Sequence, residues 1–202
     1  FDECPPYPCE RNYAEQSTDL TTRWAERCRK WHEEHSALHF PSGQETTTPD
    51  SNSGNSPVRQ LCFGIVQGSS YPDLRESSAR ALGALDFDGY AVGGVSVGEP
   101  EEEMFHAIDN SEPFLPTGKP RYAMGLGTPP QMLEMIARGV DMFDCVHPTR
   151  SARHGLAFTH DGPIHIKNAR FERDQSPLTE DCHPHVAGFS RAYLRHLFKA
   201  GE

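Results

Sequence analysis

The run Val140-Asp141-Met142-Phe143-Asp144-Cys145-Val146-His147-Pro148-Thr149-Arg150-Ser151-Ala152-Arg153 sets an acid at the end of an apolar stretch and follows it at once with a basic loop. A carboxylate so placed can attack an anomeric carbon and form a covalent glycosyl intermediate, splitting one difficult displacement into two easier ones. The neighbouring arginines suit phosphate, because the guanidinium fork meets its oxygens two at a time. Taken alone, Asp144 reads equally well as a loop cap or as a structural partner of Arg150.

Such residues need elements to position them. Leu20, Trp24, Ala25, Cys28 and Trp31 recur at helical spacing, which predicts an amphipathic helix over Ala14 to Trp31. Residues 39–60 are rich in Ser, Thr, Pro, Gly and Asn and read as a disordered surface insertion without chemistry. Beyond them strand and helix alternate. Leu61 to Val66, Gly89 to Gly94, Arg121 to Gly125 and Asp141 to Val146 read as strands; Tyr71 to Leu85, Glu99 to Ile108 and Thr128 to Ala137 read as helices, the last with Pro129 and Pro130 in its first turn. That alternation predicts parallel strands in an α/β fold. The strands end in Gln67-Gly68, Gly93-Gly94, Met124-Gly125 and Asp144-Cys145 rather than in aliphatics. Four polar strand ends favour a barrel over a doubly wound sheet, whose ligand site gathers at one switch point. After Arg153 the character changes, with Phe158 to Asp161 and Pro163 to Lys167 forming a hairpin around Asp161-Gly162 and a helix over Phe189 to Lys199.

A net charge of −10 and a hydrophobic content of 36% argue against a membrane role, and no run nears the roughly 20 apolar residues of a bilayer span. The expected compartment is the cytoplasm, with the six scattered cysteines as reduced thiols. Acidity overall disfavours nucleic acid, yet Arg150, Arg153, Lys167, Arg170, Arg173, Arg191 and Arg195 gather in the last third and offer a basic face. Phe1 in place of Met, and a close inside the helical stretch Leu197 to Glu202, read as a piece of a longer protein.

Phe1-Asp2-Glu3-Cys4, Phe63-Gly64-Ile65-Val66-Gln67-Gly68, Phe87-Asp88-Gly89-Tyr90-Ala91-Val92-Gly93-Gly94, Val97-Gly98-Glu99-Pro100, Met142-Phe143-Asp144-Cys145-Val146, Pro148-Thr149-Arg150 and Lys167-Asn168-Ala169-Arg170 resemble, in order and spacing, the tRNA-guanine transglycosylases of bacterial type. The resemblance implies a (β/α)8 TIM-type barrel, incomplete here over residues 1–153, and a small zinc-type subdomain over 154–202. It implies that Asp144 is the nucleophile toward the ribose C1′ of a wobble guanosine, and that the second catalytic carboxylate lies upstream of Phe1. Guanine presents donors at N1 and N2 and acceptors at O6 and N7. Asp2 matches the acid that meets the donors, Gln67 and the Gly94 amide match the partners of the acceptors, Val95 and Ser96 adjoin them, and Met124 matches a side chain packed on the base. A site of such paired polar groups rejects bases that lack them. Val97 and Cys4 match the bacterial pattern, so 7-aminomethyl-7-deazaguanine is the expected incoming base, with Glu99 pairing its ammonium group. Gly125, Leu126, Gly127, Thr128, Pro129, Pro130 and Gln131, together with Thr149, Arg150, Ser151, Ala152 and Arg153, match the loops that contact tRNA. The partners implied are tRNA, a small 7-deazaguanine base and a second copy of the chain.

The family's zinc site, a Cys-x-Cys-x-x-Cys cluster with a distal His, is broken here. Cys182 is kept, but Pro184 stands in the second cysteine's place and no cysteine follows. His183 and His185 flank Pro184 without a distal partner, so zinc is not expected. Two other readings stay open on the residues: a tRNA-binding accessory paralogue without catalysis, and an unrelated barrel glycosidase acting on nucleosides.

Overall fold

The computed structural model describes residues 1–36, 60–180 and 182–202; the expected insertion lies outside them except for Gln60. The chain forms two compact units, Phe1–Asp144 and Cys145–Glu202. This division falls ahead of the boundary read at Arg153, because the presumed basic loop is a helix packed on the strand that follows it.

The first unit opens with α1 (Arg11–His35), longer than predicted at both ends. Its buried face is also different: Ala14, Ser17, Thr18, Thr21, Ala25 and His32 point inward, whereas Trp31 is half exposed and stacks on His35. Small residues let α1 lie close to α2 (Pro72–Ala84), which presents Ser78 and Ala79 among its buried positions. Strands β1 (Phe63–Val66), β2 (Gly89–Val92), β3 (Arg121–Ala123) and β4 (Met142–Phe143) alternate with α2, α3 (Glu101–Asp109) and α4 (Pro129–Ala137). All four pair in parallel in the order β1-β2-β3-β4. The α/β class with a parallel sheet is therefore as expected. The register aligns Val66 with Val92, Val92 with Ala123, and Ala123 with Phe143. Gln67, Gly93, Met124 and Asp144, each one residue further on, consequently share the sheet's C-terminal edge.

Two apolar clusters fix this edge. Val92, Met104, Ile108, Ala123, Leu126, Met135 and Val140 pack β2 and β3 against α3 and α4; Val66, Ala79, Leu82, Phe87, Tyr90 and Leu115 fill the space between β1, β2 and α2. Completely buried Leu82 and Phe87 each contribute about 1.5–3 kcal/mol. Thr128 caps α4, and the Gln131 side chain accepts from the Thr128 N–H at 2.9 Å, completing a capping box that encloses the two prolines. Among the described residues no helix is long and apolar enough to cross a membrane.

The second unit begins with α5 (His147–Arg153), where a loop was expected. Pro148 occupies its first turn, and the Arg150 N–H donates to the Val146 carbonyl at 2.8 Å. The hairpin is β5 (Leu156–Thr159) against β6 (Gly162–His165), so the turn is His160-Asp161 and not Asp161-Gly162. The register follows the core: Ile164 and Ile166 point inward with Phe171, backed by Leu178, Leu194 and Phe198. The short helix α6 (Pro184–Ala187) precedes α7 (Arg191–Ala200), which Ser190 caps through the Tyr193 N–H and left-handed Gly201 ends.

Candidate active site

At the ends of β3 and β4, Asp144 is exposed, and its Oδ1 receives two hydrogen bonds of 2.7 Å, one from the Tyr122 hydroxyl and one from the Gly125 N–H. These donors, Tyr122 first, hold the carboxyl below the ordinary range, while the same contact pushes the Tyr122 phenol up. Asp144 is thus a carboxylate fixed by Tyr122 and Gly125. Sequence reasoning passed over Tyr122. Its signal lies in the register, since Tyr122 opposes Met142 and stands between buried Arg121 and Ala123. Half-buried Met124 lies between Ala123 and Gly125 on the same edge.

At the ends of β1 and β2 the residues matched to base recognition gather. Gln67 is fully buried, and its Nε2 donates to Asp2 Oδ2 at 2.7 Å. Its backbone N–H donates to Ser78 Oγ. The Gln67 Oε1 atom has no hydrogen-bond partner among the described residues and faces Gly94, where a Cβ would come within 2.6 Å of it. Gly94 has φ +64°, and a Cβ on Gly93 would meet Gln67 Nε2 at 2.6 Å, so both positions need glycine. Cys4 lies beside this pair, and the Gly94 backbone and the Gln67 side chain draw its thiol pKa down. Desolvation, then the Asp2 charge, nonetheless pushes the Cys4 thiol up. Under this cluster lies Arg75, the other residue that sequence reasoning missed. It sits on the inward stripe of α2 with Ser78, Ala79 and Leu82; an arginine on such a stripe is the available signal.

The loop after Gly94 departs from expectation in two places. Val95 joins the apolar core, so what it can offer a ligand is its backbone. Glu99 accepts from the backbone N–H groups of Ser96 and Val97, the latter at 2.8 Å. It braces the left-handed turn at Ser96, φ +61°, and both of its oxygens are engaged within the loop. Val97 is half buried.

Of the residues matched to RNA contact, Pro129, Pro130 and Gly125 are exposed, whereas Leu126 is a core side chain. Gln131 is occupied at both ends, accepting from Thr128 and donating to Glu101 at 2.7 Å. Thr149, Arg150, Ala152 and Arg153 are exposed on α5, and Ser151 is buried. Arg150 and Arg153 stand one turn apart with no side-chain hydrogen bond or ion pair to any described residue. The wider basic face is thinner than its sequence count: Arg191 pairs with Asp174, Arg195 donates to the Asn168 carbonyl, and Lys167 and Arg170 lie over phenylalanine rings.

The described residues do not bring together a closed structural zinc site. Among the described residues no three His, Cys, Asp or Glu side chains converge, and His183 Nδ1 is taken by the His185 N–H at 3.3 Å as a helix cap. All six cysteines are free.

The profile of a family described as queuine tRNA-ribosyltransferase matches residues 1–202. Curated relatives bearing that name include those of Natranaerobius thermophilus, 49% identical over 203 residues, Desulforamulus reducens, 46%, and Bacillus velezensis, 47%. In each the match takes in 100% of this chain and 49%, 49% and 48% of the relative. The chain spans about half the length of the curated relatives it matches.

Proposed function

Because the chain belongs to the queuine tRNA-ribosyltransferase family, we propose that the protein replaces the wobble guanine of a tRNA by 7-aminomethyl-7-deazaguanine through a covalent ribosyl-aspartate on Asp144. One observation carries this reading: both hydrogen bonds to the Asp144 carboxylate fall on Oδ1, which fixes the group and leaves Oδ2 to attack. In the first displacement Oδ2 bonds to ribose C1′ as the bond to guanine N9 breaks, and its electron pair leaves with the base, which is then protonated. In the second, the incoming base gives up its ring proton and attacks C1′, and Asp144 departs as a carboxylate. Two inversions give net retention.

Base choice follows from donor and acceptor pairing. Asp2, already oriented by Gln67, accepts from N1 and N2, and the donors of Gly94 and Gln67 take the O6 and N7 side. With Glu99 committed to Ser96 and Val97, its role is to shape the loop, and the ligand's ammonium meets backbone oxygens of that loop. Exposed Arg150 and Arg153 contact tRNA phosphates. The four parallel strands are read as consecutive strands of a (β/α)8 barrel completed by the rest of the full-length enzyme. The enzyme is read as a cytoplasmic homodimer on the resemblance alone.

Exchange of labelled guanine into a tRNA with guanosine at the wobble position tests the reading, using the full-length protein and its Asp144→Ala variant. Incorporation by the unaltered protein, and a loss of at least about 10³-fold in the variant with no trappable adduct, is the expected result. Exchange undiminished in Asp144→Ala would overturn the nucleophile.

A further inference from the structure

Arg75 is the largest fully buried side chain of the described residues, and no carboxylate among them hydrogen-bonds or ion-pairs with it. Its partners are main-chain oxygens at the ends of β1 and β2. Nε donates to the Ser69 carbonyl at 2.7 Å, Nη1 to those of Gly93 at 2.6 Å and Val66 at 3.4 Å, and Nη2 to that of Gly94 at 3.2 Å. Burial pulls its pKa down to about 10, so the side chain remains a cation at neutral pH. The cation is held by main-chain dipoles, and Glu99 acts on it through its charge without a hydrogen bond, so its field falls first on the carbonyls that hold it.

That field has a direction. The Gly93 carbonyl and the Gly94 N–H are two ends of one peptide group. A charged donor at the carbonyl end polarises the group and strengthens the N–H as a donor at the other. Gly94 is half-buried against the Gln67 side chain, whose buried Oε1 has no hydrogen-bond partner among the described residues, so this strand end keeps polar capacity for a ligand. Neither glycine can carry a side chain there without striking Gln67, so the peptide has one available orientation.

We propose that Arg75 is a positioning residue for base exchange: it locks and polarises the Gly93–Gly94 peptide so that the Gly94 N–H stabilises negative charge on the purine carbonyl oxygen. When the bond from ribose C1′ to the purine nitrogen breaks, its electron pair passes into the ring and gathers in part on that oxygen. The same charge is present on the incoming base after it loses its ring proton, before it attacks C1′. Donors preorganised toward developing charge act most strongly in a water-poor pocket. The inference rests on the reading of the protein as a base-exchange enzyme.

The test uses the full-length protein, its Arg75→Met variant and its Arg75→Lys variant, which keeps the charge but not the fork. The value of kcat/KM for the incoming base reports its capture by the ribosyl-enzyme. It is measured with 7-deazaguanine and with its 7-cyano derivative, whose ring N–H is made more acidic by the nitrile and whose anion needs less stabilisation. For Arg75→Met the expected loss with 7-deazaguanine is about a hundredfold, borne mainly by kcat, with a loss several-fold smaller for the 7-cyano base. Arg75→Lys shows the same bias at smaller size, and decides the matter if Arg75→Met does not fold. Equal losses for both bases would overturn the role of Arg75 while leaving base exchange standing. No exchange by the unaltered protein would overturn the base-exchange reading, and this inference with it.

Discussion

Asp144 and Tyr122 work as a pair in which one hydroxyl and one backbone amide hold a single carboxylate oxygen. Tyr122→Phe removes the first and larger cause of the lowered Asp144 pKa. The group's folded pKa then rises toward its ordinary value, so the acid limb of the kcat/KM profile moves to higher pH. The rate at the optimum falls about tenfold, the worth of one hydrogen bond to a charged group. A pH–rate profile with an unmoved acid limb would show that Tyr122 does not govern the ionisation. Asp144 itself was legible, because an acid closing a strand before a basic segment is visible in one dimension. Tyr122 and Arg75 were not, since what distinguishes them is the neighbour supplied by another strand or loop, and neither the parallel register nor the inward face of α2 is written in their own type.

At the scale of elements, alternation of apolar runs with helical stretches was enough to read four parallel strands and the helices between them, because each period repeats over several residues. Shorter features escaped. The helix His147–Arg153 leaves too few positions for a period, and the hairpin turn slipped because Asp161-Gly162 is a good turn signal that the inward-facing Ile164 and Ile166 overrule. The face of α1 was misread for a related reason: its large residues lie outward and its small ones make the contact. The loop from Val95 to Glu99 belongs to this scale too, as a turn closed by Glu99 around half-buried Val97. Val97→Gly opens space beside the base without touching that brace. Incorporation assays with queuine should show its use rising by at least about tenfold, and no gain would remove Val97 from the control of base size.

For the whole molecule, the chemistry-bearing side chains cluster in the unit ending at Asp144, while the paired arginines of α5 belong to the unit beginning at Cys145. In an acidic chain of net charge −10 the proposed tRNA contact rests on such local sites and not on the overall charge. Neutralising Arg150 and Arg153 together should weaken tRNA binding and reduce the slope of log K against log salt by about 1.5. An unchanged slope in a salt titration would remove these residues from the phosphate contacts. Arg75 carries a different kind of consequence. Every hydrogen bond it makes goes to a main-chain oxygen, and an oxygen of the peptide survives any substitution of the residue that bears it. As related chains diverge, no second mutation elsewhere can compensate for losing this arginine, and none is required to keep it. A search for co-varying pairs would therefore pass over the residue that ties two strand ends together, and its role is open to geometry where it is closed to statistics.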